Sequence, residues 1–95
     1  MKMERLSSFF AAIEHDPRIG TSHISLYCAL LDAFECGHLA DGSIFLVSKQ
    51  MMKKAKIFGL ATYHGCLKDL HDFDYIIYKP SYNHRKKSKV FIKLT

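Results

Sequence analysis

The sequence predicts an α+β domain, mainly helical, with a small antiparallel β-sheet. Three observations carry this. Apolar residues recur at helical spacing through most of residues 4–72. After residue 73 the period becomes strand-like. One short apolar run, Ser43-Ile44-Phe45-Leu46-Val47, stands alone between turn signals.

The elements follow in order. Leu6, Phe9, Phe10 and Ile13 mark an amphipathic helix over 4–14. Asp16-Pro17 ends it, because a residue before proline avoids the helical region. Thr21-Ser22 offers N-cap side chains to a second helix. Its apolar stripe, Ile24, Tyr27, Cys28, Leu30, Leu31 and Phe34, is broad enough for near-complete burial, and Gly37 ends it. Asp41-Gly42 reads as a turn, and 43–47 as one strand. Ser48 can cap a third helix over 49–55, with Met51, Met52 and Ala55 facing inward. The break at 56–59 contains Gly59, which can turn the chain sharply. A fourth helix covers 60–72, its core face Tyr63, Cys66, Leu67 and Leu70. Two β-rich runs, FDYIIY from 73 and KVFIKL from 89, flank a polar, basic segment and predict a hairpin.

Helix, helix, strand, helix, tight turn, helix, hairpin is the order of a winged helix-turn-helix. The assignment is one domain over 1–95, with an extra N-terminal helix about 4–14, the helix-turn-helix about 48–72 and the C-terminal β-hairpin wing about 74–94. The lone strand can pair with the hairpin to complete a three-stranded sheet.

A 95-residue chain buries only about 60–65% of the surface its unfolded form exposes. That allows one modest core and little room for an enclosed catalytic cleft. Charge is segregated. Residues 1–48 carry three basic and six acidic side chains, a balance of −3; residues 49–95 carry eleven and three, a balance of +8. A basic half of this kind suits a polyanion. The cysteines, Cys28, Cys36 and Cys66, are odd in number and lack metal-site spacing; Cys28 and Cys66 read as core groups in a reducing compartment. No secretory signal and no membrane-length apolar run is seen, so a cytoplasmic location is expected, without membrane association. Cys36-Gly37-His38 falls short of the four ligands of a structural zinc. The six histidines are scattered, and no nucleophile motif surrounds a cysteine. The expectation is a non-enzyme with no metal, no cofactor and no small-molecule ligand.

The candidate site is an interface with double-stranded DNA. In a helix-turn-helix the second helix enters the major groove, and 60–72 presents Ala61, Thr62, His64, Gly65 and Lys68 outward. Ala61 and Gly65 permit close approach; Thr62, His64 and Lys68 supply donors for bases or phosphates. Lys49, Lys53, Lys54 and Lys56 lie on or beside the preceding helix, which crosses the DNA backbone in that geometry. The wing carries Lys79, Tyr82, Asn83, His84, Arg85, Lys86, Lys87 and Lys89, suited to phosphates or the minor groove. Its mix of aromatic and basic residues also suits single-stranded nucleic acid.

The segments HDPRIGTSHISLYCALLDAF, SKQMMKKAKIFGLATYHGCLKDLHDFDYIIYKPSYN and KSKVFI resemble a group of small winged-helix proteins of Bacteroidetes mobile elements. Its sharpest matches are Thr62-Tyr63-His64, Leu67-Lys68-Asp69-Leu70, Tyr82-Asn83 and Ser88-Lys89-Val90. The resemblance implies the winged fold and general DNA binding; the expected role is transcription regulation, or excision and transfer of a mobile element. The chain departs from that pattern in two places. Leu60 stands where a capping serine is usual, and Lys87 near a usual wing glycine. Two other readings stand beside it: a protein-interaction module on the same scaffold, suggested by the poor base readers Ala61 and Gly65, and the DNA-binding part of a replication initiator. A homodimer is compatible with the first helix, whose stripe can either pair with a second copy or fold back onto its own core.

Overall fold

The computed structural model describes residues 3–82 and 86–93. Four helices and three strands alternate as α1 (Met3–Ile13), α2 (Thr21–Cys36), β1 (Ser43–Phe45), α3 (Ser48–Ala55), α4 (Leu60–Asp72), β2 (Ile76–Lys79) and β3 (Lys89–Ile92). This is the winged helix-turn-helix layout: mainly helical, with a small antiparallel sheet ordered β1-β3-β2. The radius of gyration is 12.6 Å, as a single compact domain of this length requires, about 12.4 Å.

α2 is the axis of the core. Its Leu26, Leu30 and Leu31 are fully buried against Tyr63, Leu67 and Leu70 of α4 and Ile76 and Val90 of the sheet. Each such side chain contributes about 1.5–3 kcal/mol of burial. Polar bonds fix the angles. The Ser25 hydroxyl of α2 donates to the Ala55 carbonyl, an end-of-helix acceptor that α3 leaves unpaired. His23 accepts the Gly20 N–H on Nδ1 at 2.9 Å. Its other nitrogen, Nε2, therefore carries the proton and donates to Asp69 of α4 at 2.9 Å.

α1 folds back onto this core. The Phe9 ring stacks on Tyr27 at 3.8 Å and meets the edge of Tyr75 at 5.4 Å. Leu6 and Ile13 pack beside it, and Phe10 stays exposed. The link after α1 is pinned to the far end of α4. Asp16 accepts from Arg18 Nε at 2.8 Å and from the Tyr75 hydroxyl at 2.6 Å, while the Arg18 guanidinium lies 3.9 Å over the Phe73 ring.

Four local expectations are corrected. The α2 N-cap is Gly20, and His23, rather than Thr21 or Ser22, closes the first turn from the third helical position. Ser48 is the first residue of α3 instead of its cap; Val47 holds the cap position without a side-chain bond. The sharp turn of the helix-turn-helix is made by Lys56, at φ 61°, and Gly59 is extended at φ −89°. β2 begins at Ile76 rather than 73, because α4 ends in its own reversal at Asp74, φ 73°. Asp41-Gly42 does turn the chain, with Gly42 at φ 86°, where glycine is favoured.

Both helices of the helix-turn-helix close by the same device. After α3, the Lys56 N–H bonds Lys53 O and the Ile57 N–H bonds Met52 O at 3.0 Å. After α4, the Asp74 N–H bonds His71 O at 3.1 Å and the Tyr75 N–H bonds Leu70 O at 2.9 Å. Each is a Schellman motif with a left-handed residue that is not glycine.

Candidate nucleic-acid interface

The exposed face of α4 is made by the pitch of its core face. With Tyr63, Cys66, Leu67 and Leu70 buried, Ala61, Thr62, His64, Gly65 and Lys68 all point to solvent. The helix starts from Gly59 with no side-chain cap, so its first N–H groups are open to an anion. Gly65 is the unusual member. A Cβ built there meets nothing within 4 Å, so no neighbour in this fold requires a glycine. In a helix interior it costs about 1 kcal/mol against alanine.

The lysines separate into two groups. Lys49, Lys53, Lys56 and Lys68 are exposed and form no ion pair among the described residues. Lys54 does: its ammonium is held by Asp32 of α2. Both described arginines are likewise committed within the fold, Arg5 to Glu35 at 3.0 Å and Arg18 to Asp16. Free positive charge therefore lies on the helix-turn-helix and wing.

In the wing, β2 and β3 pair antiparallel from Ile76↔Ile92 to Lys79↔Lys89. Lys79, Tyr82, Lys86 and Lys87 are exposed, and Lys89 is half-buried with its ammonium 3.6 Å from Asp41. Asn83, His84 and Arg85, also expected at the tip, lie outside the described residues.

Sequence reasoning missed three side chains. Phe58 in the turn and Leu60 at the head of α4 are 88% and 58% exposed, next to the open helix N-terminus. Phe45, read only as part of the strand over 43–47, is 46% exposed on the outer face of the sheet. The period of the strand could have signalled Phe45: with Ile44 inward, its neighbour must face outward. Nothing local distinguishes an exposed Phe58 from a buried one.

Burial pushes the thiols of Cys28 and Cys66 up, away from the thiolate that nucleophilic chemistry uses. Among the described residues no three His, Cys, Asp or Glu side chains cluster as metal ligands. Asp69 and Asp74 have partners in His23 and Lys93. No helix among the described residues is long and apolar enough to cross a membrane. Compared with protein-family models, curated proteins and solved structures, the chain matches none.

Proposed function

We propose that the protein binds double-stranded DNA, with α4 in the major groove, α3 across the phosphate backbone and the wing on adjacent phosphates or in the minor groove. The biological setting we infer is cytoplasmic, in transcription regulation or in excision and transfer of a mobile element. The observation that carries this reading is Gly65. It sits mid-helix, exposed, with no intramolecular reason to lack a side chain, between His64 and Lys68 and one turn from Ala61. A helix face kept bare at its centre and basic at its edge suits close approach to a groove. Lys49, Lys53 and Lys56, free of ion pairs among the described residues, flank it for phosphates.

The test is a salt titration of binding to random-sequence duplex DNA by the wild type, Lys68→Ala and Gly65→Ala. The wild type should bind with a dissociation constant on the order of 10⁻⁴–10⁻⁶ M, weakening as salt rises. Lys68→Ala should flatten the logarithmic salt slope by about 0.9, one phosphate contact. Gly65→Ala should be more stable by about 0.5–1 kcal/mol yet bind less well. Affinity indifferent to salt, or full affinity in Gly65→Ala, overturns the reading. The exposed Phe58 and Leu60 favour the second reading, a protein partner docked at the head of α4. A folded protein that binds no duplex at low salt, but loses a captured partner on Phe58→Ser, would establish it.

A further inference from the structure

The strand order places two aromatic rings and two lysines on the outer face of the sheet, and Lys87 joins them from the segment before β3. Ile44, Val90, Ile76 and Tyr78 belong to the inner face. Alternation then puts Phe45, Lys89 and Lys79 in one outward row across β1, β3 and β2, with Phe91 in the next row. The ammonium groups gather over the rings. Lys89 and Lys87 lie 5.6 and 5.8 Å from the Phe45 centroid, and Lys79 lies 5.3 Å from that of Phe91. Tyr82, 94% exposed, stands at the rim. Together Phe45, Lys79, Tyr82, Lys86, Lys87 and Lys89 line an open groove of about 1020 Å³ with no acidic side chain among the described residues of its walls. Asp41, the partner of Lys89, is outside them.

Charge alone would suit any polyanion. The rings narrow the choice. A duplex offers the wing phosphates and keeps its base faces stacked, so it has nothing to lay against Phe45. An acidic peptide would use the lysines and leave the rings idle. An unpaired strand offers both a π-face and a phosphate per nucleotide, and aromatic platforms beside basic tracks are how proteins hold such strands. The groove is also at or above the ~300–1,000 Å³ of a small-molecule pocket, which favours a segment of strand over one nucleotide.

We infer that the outer face of the sheet and the base of the wing form a second binding site, for single-stranded nucleic acid, with a base stacked on Phe45 and its phosphates on Lys79, Lys86 and Lys87. The site uses no residue of α4. Its wing lysines are shared with the duplex reading, but Phe45 belongs to it alone.

The chain has no tryptophan, so Phe45→Trp places a unique fluorophore on the platform. Oligothymidylate should quench it saturably, and a blunt duplex or polyphosphate should not, because neither brings an unpaired base. Phe45→Leu keeps an apolar strand residue and should fold as the wild type does, checked by thermal unfolding. It should bind oligothymidylate about tenfold more weakly, the loss of one stacked base, with duplex affinity unchanged. Oligouridylate quenching as well as oligothymidylate extends the site to RNA; weaker quenching assigns it to DNA. Equal binding of polyphosphate and oligothymidylate, or unchanged oligothymidylate affinity in folded Phe45→Leu, overturns the inference. Lys68→Ala separates the two readings: it should weaken duplex binding and leave oligothymidylate binding intact.

Discussion

At the scale of single residues, the structure separates side chains that hold the fold from those that face outward. Asp16 belongs to the first kind. The Arg18 side chain, then the Tyr75 hydroxyl, hold its carboxyl well below the ordinary carboxylate range. Its unfolded counterpart titrates near 3.9. The stabilisation is therefore complete above about pH 5 and is lost as pH falls through the folded range. Asp16→Asn should lower stability at neutral pH and flatten the acid limb of a urea-unfolding series. Tyr75 gives the mirror case. Burial, and then the hydrogen bond it donates to Asp16, push its phenol up to about 12, against about 10 when unfolded. Its contribution is present below about pH 10 and lost as pH rises toward the folded value; Tyr75→Phe should remove that alkaline loss. Tyr63 is different again. Its hydroxyl is buried without a well-formed hydrogen bond among the described residues, and the Ser48 side chain only partly opposes the upward push of burial on its phenol. Tyr63→Phe should be neutral or raise stability by up to about 1 kcal/mol in denaturant unfolding. The identity of Tyr63 as a core residue was legible from its spacing with Leu67 and Leu70. The missing bond was not, since it depends on what α3 brings alongside.

At the scale of elements, the turn between α3 and α4 is the informative one. A glycine four residues into the break invited the view that Gly59 turns the chain. The reversal instead occurs at Lys56, because the helix end is closed by bonds to Met52 and Lys53 that require the left-handed residue at that place. An L-residue there sits in a region that costs about 1–2 kcal/mol relative to a right-handed one. Lys56→Gly should therefore keep or raise stability, by up to about 1 kcal/mol after the entropy of the unfolded glycine is counted. The same substitution removes a free ammonium, so duplex affinity should fall while the melting temperature does not. Stability and affinity moving together would mean that Lys56 acts through the turn instead of through phosphate. α1 supplies the other element-scale prediction. Phe9→Ala should cost about 3–5 kcal/mol, as a buried aromatic does, whereas Phe10→Ala should be nearly silent in the same unfolding experiment. Helical spacing made both phenylalanines equal members of one stripe; only the packing of Phe9 between Tyr27 and Tyr75 distinguishes them.

At the scale of the whole molecule, charge and fold divide along the chain. The two described cations of the N-terminal half serve the structure: Arg5 pairs with Glu35 and lies 4.5 Å over the Phe34 ring, and Arg18 closes the Asp16 network. Cations of the C-terminal half mostly face solvent. Arg5→Gln and Arg18→Gln should lower the melting temperature and leave duplex affinity unchanged at a temperature where both variants are folded. Lys49→Gln and Lys53→Gln should do the reverse, each reducing the logarithmic salt slope by about 0.9. The quaternary expectation follows from α1. With Phe9, Leu6 and Ile13 packed on the protein's own core, the free protein should sediment near its chain mass of 10.9 kDa. A mass of twice that value, abolished by Phe10→Ser, would place a dimer contact on α1.

Element order, the core faces of α2 and α4, the hairpin and the segregation of positive charge were all determined by the sequence itself. They are written in local periods and in composition, which need no knowledge of what lies far along the chain. Four matters were decided only by the tertiary structure. Lys54 is held by Asp32, twenty-two positions away. The turn falls to Lys56. Gly65 has open space where a neighbour could have stood. Phe45 and the wing lysines meet on one face because β3 lies between β1 and β2. The turn follows from how the end of α3 closes on Met52 and Lys53; the other three depend on which distant segments come near, and a periodicity has no means of recording which distant partner a side chain will meet.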